Sequence, residues 1–189
     1  MKQKNKSSLS RAEKHFVKAL LSIMKEKPYQ EITVLELAEA ADYDRRTYYR
    51  YFTSKEEILK LYCSHILSEM VDMLKEKGHL TFQTGFISYF EFWEKHIDFL
   101  CLLESNELLH YLANQQDDLL YHYVGKSIQP EIPNNLEKVS EFSKVSFYFT
   151  SGGLWNILVR WIKEESRKTP QELTKYILTY FKEVNNYIN

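Results

Sequence analysis

Ser10, Thr33, Ser54 and Thr169 each stand before a run of apolar residues and are followed three residues later by Glu, as Ser10/Glu13, Thr33/Glu36, Ser54/Glu57 and Thr169/Glu172. After each, apolar residues recur at steps of three and four. The first pattern lets one side chain accept from a free N–H at a helix start while the second reaches back, and the spacing places one apolar stripe on a helix. A chain punctuated this way predicts an all-α fold. Its five Gly and four Pro suit long helices with short connections rather than the many turns of a β fold.

The signals divide the chain into a head, residues 1–53, and a body, residues 54–189. Ala12, Phe16, Ala19, Leu20 and Ile23 predict a first helix that stops before Pro28. A short second helix opens at Thr33 and presents Val34, Leu37, Ala38 and Ala41 on one face. Asp42-Tyr43 reads as a tight turn, Asp44 as the cap of a third helix from Arg45 to about Phe52, and Ser54 as the cap of a long helix ending near Gly78.

In the body, Phe82, Phe86, Phe90, Trp93, Ile97 and Leu100 mark one helical face. Ser105 is expected to cap another helix carrying Leu108, Leu109, Leu112, Leu119 and Leu120. Residues 125–135, with Pro130 and Pro133, predict a loop, and helices follow over about 136–165 and from 169 onward.

Charge and composition narrow the function. Residues 1–60 hold thirteen Lys/Arg against nine Asp/Glu, and the remainder twelve against seventeen. A net +4 head on a −5 body suits a protein that turns one end toward a polyanion. No run approaches the roughly 18 apolar residues of a membrane span, and the polar, lysine-rich start lacks a signal-peptide core, so a cytoplasmic protein is expected. Cys63 and Cys101 have no metal-ligand spacing and read as buried free thiols. His65, His79, His96, His110 and His122 show no paired spacing, so neither metal nor cofactor is expected. There is no Gly-rich phosphate loop and no nucleophile elbow, and Asp117-Asp118 and Glu164-Glu165 are adjacent pairs that diverge on a helix, which argues against an enzyme.

Residues 33–52 satisfy the needs of a helix-turn-helix: two short helices, a turn residue that tolerates positive φ, and a polar outer face on the second helix. Tyr48 and Phe52 share a face suited to a three-helix core. Arg45, Arg46, Thr47, Tyr49, Arg50 and Tyr51 then point outward; guanidinium groups suit guanine edges or phosphate, and hydroxyls suit phosphate oxygens. Lys55 begins the next helix, where an ammonium and free N–H groups both favour phosphate. Periodicity alone equally allows an ordinary solvated face.

Residues 12–59, AEKHFVKALLSIMKEKPYQEITVLELAEAADYDRRTYYRYFTSKEEIL, resemble the N-terminal domain of the TetR family. The most specific segment is Thr47-Tyr48-Tyr49-Arg50-Tyr51-Phe52 followed by Ser54-Lys55-Glu56-Glu57, supported by Ile32-Thr33-Val34 and Ala38-Glu39-Ala40-Ala41. The resemblance implies operator contacts from Thr33, Arg45, Arg46, Thr47, Tyr49, Arg50, Tyr51 and Lys55, with Tyr48 in the core. Two departures stand out: Asp42 replaces the turn glycine and Arg46 a small residue.

The stretch SGGLWNILVRWIKEESRKTPQEL resembles the C-terminal region of one TetR subgroup, whose last two helices form a dimer interface. It implies Phe142, Val145, Phe149, Gly152, Ile177, Phe181 and Val184 at that interface. The stripe Phe147, Leu154, Leu158 and Trp161 lies on another side of the same helix, so this helix needs burial on two sides.

The family pattern also implies a bend near Lys95-His96 and a small-molecule pocket, with Phe86, Tyr89, Phe90, Trp93, His96, Tyr111 and His122 as candidates; plain core is the competing reading of such aromatics. The implied function is a homodimeric repressor released from a palindromic double-stranded operator by an inducer. A co-activator acting through a protein partner is the alternative.

Overall fold

The computed structural model describes residues 9–116 and 141–188. Its regular elements are helical, and no strand occurs among the described residues. They are α1 (Arg11–Ile23), a 3-10 turn (Tyr29–Glu31), α2 (Val34–Ala40), α3 (Arg45–Tyr51), α4 (Lys55–Glu76), α5 (Phe82–Lys95), α6 (Ile97–Ser105), α7 (residues 109–116), α8 (Glu141–Trp161) and α9 (Pro170–Ile188). The chain packs as two units. One gathers the residues up to Glu69 with Leu102–Gln116, the other Met70–Cys101 with the C-terminal helices. The first unit therefore reaches beyond residue 53.

Local chemistry explains the starts. Ser10 and Thr33 form capping boxes with Glu13 and Glu36, which satisfy N–H groups that a helix leaves free. In the first unit Phe16 is the hub. Its ring meets those of Tyr48 and Phe52 edge-on at 5.6 Å each and stacks on Tyr43 at 5.3 Å. Leu20, Leu37, Ile58, Leu59, Cys63 and Leu112 complete a fully buried core. Burial pushes the Cys63 thiol up to about 12, so it is an unreactive packing residue. Cys101 departs from expectation: it is exposed on α6.

In the second unit Phe90 of α5 meets Trp161 of α8 at 5.9 Å, both buried with Trp93, Leu100 and Leu158. The Trp161 indole donates to the Lys168 carbonyl at 2.7 Å and holds the connection into α9. α9 packs on α5, with Gln171 donating to Glu91 at 3.1 Å.

The expected bend falls at His96, where φ −106 and ψ 20 separate α5 from α6. Ser105, expected as a cap, is instead the last residue of α6, and Glu107 turns the chain with φ 60 before α7. α8 ends at Trp161, short of Glu165. Phe82, expected on the buried face of α5, is exposed. Leu119, Leu120 and the loop expected over 125–135 lie outside the described residues. No described helix is long and apolar enough to cross a membrane, and no described cluster of His, Cys, Asp or Glu is arranged for a metal ion.

Candidate nucleic-acid interface

The turn between α2 and α3 is built by two aspartates. Asp42 adopts φ 61, the left-handed conformation that Asp tolerates better than most residues, and the Tyr43 N–H then returns to the Ala38 carbonyl at 2.9 Å. Asp44 caps α3 by accepting from the Thr47 N–H at 2.6 Å. That hydrogen bond, more than the guanidinium groups of Arg46 and Arg50, holds the Asp44 carboxyl below its usual range. It also keeps an anion at the positive end of the helix, where it stabilises.

α3 has two faces. Tyr48 and Phe52 are buried against Phe16. Arg45, Arg46, Tyr49, Arg50 and Tyr51 are exposed, and Thr47 is half-buried. Arg50 lies over the Tyr51 ring at 5.2 Å, and the Tyr49 ring meets Tyr48 edge-on at 5.2 Å. No salt bridge ties down Arg45, Arg46 or Arg50 among the described residues. Three exposed guanidinium groups and two exposed phenols on a short rod form a surface suited to a groove lined by phosphate.

Thr33 and Lys55 flank this rod in sequence, and both are already engaged. Thr33 Oγ1 accepts from the Glu36 N–H at 3.3 Å and donates to the Glu36 carboxylate at 2.8 Å. That carboxylate also meets Lys27, whose hydrogen bond is the largest influence holding Glu36 down at about 2. The Lys55 ammonium, expected to await a phosphate, donates to the carbonyls of Tyr29, Gln30 and Ile32 at 2.7, 2.9 and 3.0 Å. Sequence reasoning missed this grip because no local pattern announces a side chain that reaches back more than twenty residues.

Of the residues expected to line a pocket, Phe86, Tyr89, Phe90 and Trp93 are buried; Tyr89 meets Phe90 at 5.4 Å and Trp93 at 6.4 Å, and Phe86 meets Phe82 at 5.8 Å. His96 stands against Phe92 at 4.5 Å. Tyr111 belongs to the first unit, where Lys60 lies over its ring at 5.8 Å. His122 lies outside the described residues.

The two stripes of α8 differ most at their ends, with Phe147 and Leu154 half-buried between them. Leu158 and Trp161 are buried, whereas Val145 and Phe149 are 65% and 66% exposed, with Gly152 half-buried beside them. On α9, Phe181 is exposed and Ile177 and Val184 are half-buried. Tyr148, Tyr176 and Tyr180 widen the open apolar surface and were not anticipated. Phe142 lies within α8, and its side chain is outside the described set.

A capped pair of short helices with a left-handed turn residue, packed on α1, defines a helix-turn-helix protein. Residues 16–62 match the family described as bacterial regulatory proteins, tetR family, and residues 81–183 match a transcriptional regulator C-terminal region. The chain belongs to the TetR family of DNA-binding transcriptional regulators, which are not enzymes.

Similar folds occur in a TetR transcriptional regulator from Streptococcus agalactiae 2603V (21% identity, 90% of this chain and 93% of that one, TM-score 0.64). Others are the fatty acid degradation regulator FadR from Bacillus halodurans (16%, 90% and 94%, 0.59) and the dihydroxyacetone kinase operon activator DhaS (17%, 89% and 93%, 0.58). No curated protein matches the chain.

Proposed function

We propose that this regulator is a cytoplasmic homodimer that represses transcription from a palindromic operator and releases it when a small molecule binds the body. Residues 1–53 present the DNA-reading surface and residues 54–189 carry the ligand and dimer surfaces. The observation that carries the reading is the outer face of α3, where Arg45, Arg46, Tyr49, Arg50 and Tyr51 stand exposed above a sealed Tyr48–Phe52 underside. One rod of this length reads few base pairs, so a two-fold pair of heads on a palindrome supplies the missing specificity. The open stripe of Val145, Phe149 and Phe181 supports pairing through α8 and α9. Release follows if the ligand favours a body conformation that spaces the heads wrongly for DNA.

The test is selection of duplexes from a random pool by the purified protein. A palindromic consensus is expected, and Tyr49→Ala with Arg50→Ala should weaken its binding at least tenfold, the scale of about 1.4 kcal/mol. Unchanged affinity in the double variant removes α3 as the docking face. One structurally similar protein is named an operon activator, so the sign of regulation is read separately: reporter expression that rises on deletion means repression. Expression that falls, with a protein partner recovered and no DNA bound, means co-activation.

A further inference from the structure

Lys55 is half-buried, and its ammonium is turned onto backbone carbonyls. An ammonium has three N–H donors, and here each has its own carbonyl, on Tyr29, Gln30 and Ile32. The group also lies 4.7 Å from the centroid of the Tyr29 ring, whose side chain is buried. These carbonyls belong to the Tyr29–Glu31 turn and its C-cap; that of Tyr29 also accepts from the Ile32 N–H at 3.2 Å, and Lys55 adds a donor at the end of a helix too short to supply one to every oxygen. The last of them belongs to Ile32, the residue immediately before Thr33, which caps α2.

A second side chain holds the same turn from another direction. Asn106 follows α6 and is buried. Its Oδ1 accepts from the Tyr29 N–H at 2.8 Å, and its Nδ2 donates to the Leu102 carbonyl at 3.0 Å and the Met24 carbonyl at 3.5 Å. Met24 is the C-cap of α1. The turn is thus gripped at its N–H end by Asn106 and at its carbonyl end by Lys55. Between them they fix where α1 stops and where α2 starts.

We infer that Lys55 and Asn106 are positioning residues for DNA binding, which set the α2 entry and hence the seating of α3 without touching DNA themselves. The inference rests on α3 being the docking face. It assigns Lys55 a task opposite to that of a phosphate contact, and the two tasks leave different signatures. A lysine that neutralises a phosphate contributes to counterion release, so its removal from both protomers of the dimer lowers the slope of log affinity against log salt by about 1.8, about 0.9 for each contact. A lysine whose ammonium stays on backbone carbonyls leaves that slope unchanged. Its loss shifts the recognition helix, which costs base readout while phosphate attraction survives.

The experiment compares wild type, Lys55→Met, Lys55→Arg, Asn106→Ala and Arg50→Ala as full-length proteins. Each is titrated over a salt series with a duplex selected by the wild type and with a random-sequence duplex of equal length. Lys55→Met and Asn106→Ala are expected to lose roughly tenfold on the selected duplex, the scale of one hydrogen bond left unmade. They keep their affinity for the random duplex and their salt slope. Lys55→Arg is expected to behave like Lys55→Met, because a planar fork cannot seat three divergent donors.

A slope that falls by about 1.8 in Lys55→Met, or full rescue by arginine, shows a phosphate contact in each protomer and overturns the inference while the docking face stands. Equal losses on both duplexes at unchanged slope show unfolding only and also overturn it. If Arg50→Ala and an Arg45→Ala companion change neither affinity nor slope, the docking face fails and the inference falls with it. Should Lys55→Met not fold, Asn106→Ala and Lys55→Arg decide alone. A mutation-free measurement accompanies them: reductive methylation of the wild type without DNA should reach Lys55 later than the exposed Lys14 and Lys18, and equal rates refute the grip.

Discussion

Replacing Tyr48 by Phe should stabilise the protein. Tyr48 is fully buried, and its hydroxyl has no hydrogen-bond partner. Leaving such a group unpaired costs about 1–3 kcal/mol. Deleting one oxygen opens a void of roughly 10 Å³, which at about 24 cal/mol per Å³ returns only ~0.2 kcal/mol of that gain. The net gain is about 1–3 kcal/mol. For a chain of this size it raises the midpoint by about 2–4 °C per kcal/mol.

Calorimetry and urea unfolding at fixed protomer concentration read it out. DNA affinity should not change, because the ring lies on the underside of α3. A pH series adds a second reading. Burial, ahead of Tyr49, Glu56 and Glu57, pushes the Tyr48 phenol from 10.0 up to about 12. The folded state then keeps a proton that the unfolded chain releases, so wild-type stability falls as pH rises from about 10 to about 12. Tyr48→Phe lacks this loss, and its advantage widens over that window. A variant that melts below wild type at neutral pH refutes the reasoning, since the hydroxyl must then have a partner.

Three further outcomes are expected. Asp42→Gly removes a side chain from a φ of 61 and should raise stability by about 1 kcal/mol, whereas Asp42→Val should lower it; thermal unfolding decides. Glu36 is held down from 4.5 to about 2, first by Lys27 and then by Thr33, so its contribution is present above pH 4.5 and is lost as pH falls toward 2. Glu36→Gln should therefore lose less helicity than wild type across that acid window, as followed by circular dichroism. Phe149→Lys places a charge on the open stripe of α8 and should shift sedimentation from dimer to monomer with the far-ultraviolet spectrum unchanged.

The starts of α1 and α2 and the turn into α3 were legible because they are local chemistry: a capping residue, its Glu three positions on, and Asp42 at a turn that needs positive φ. Glu57, expected to pair with Ser54, instead accepts from the Thr53 N–H at 2.7 Å. The two faces of α3 and the two stripes of α8 followed from period alone. The Lys55 and Asn106 grips did not, since they join residues far apart in sequence through backbone atoms that every residue possesses. Ser105 misled because the same hydroxyl suits a helix start and a helix end; here it donates back to the Leu102 carbonyl. Tyr148, Tyr176 and Tyr180 were passed over because aromatic residues at helical spacing read as core. Tyr111 was grouped with the α5 aromatics by residue type, and type does not say which unit a ring joins.

Leu108 and Leu112 are buried, and they come from a segment that follows the end of the helix-turn-helix by more than fifty residues. Cutting the gene just past α4 would therefore deliver a fragment missing part of its own interior and one of the two hands on its first turn. Exchange of reading heads between relatives faces the same constraint. The portable piece is discontinuous, so a working chimera must carry the stretch around Asn106 together with the N-terminal helices.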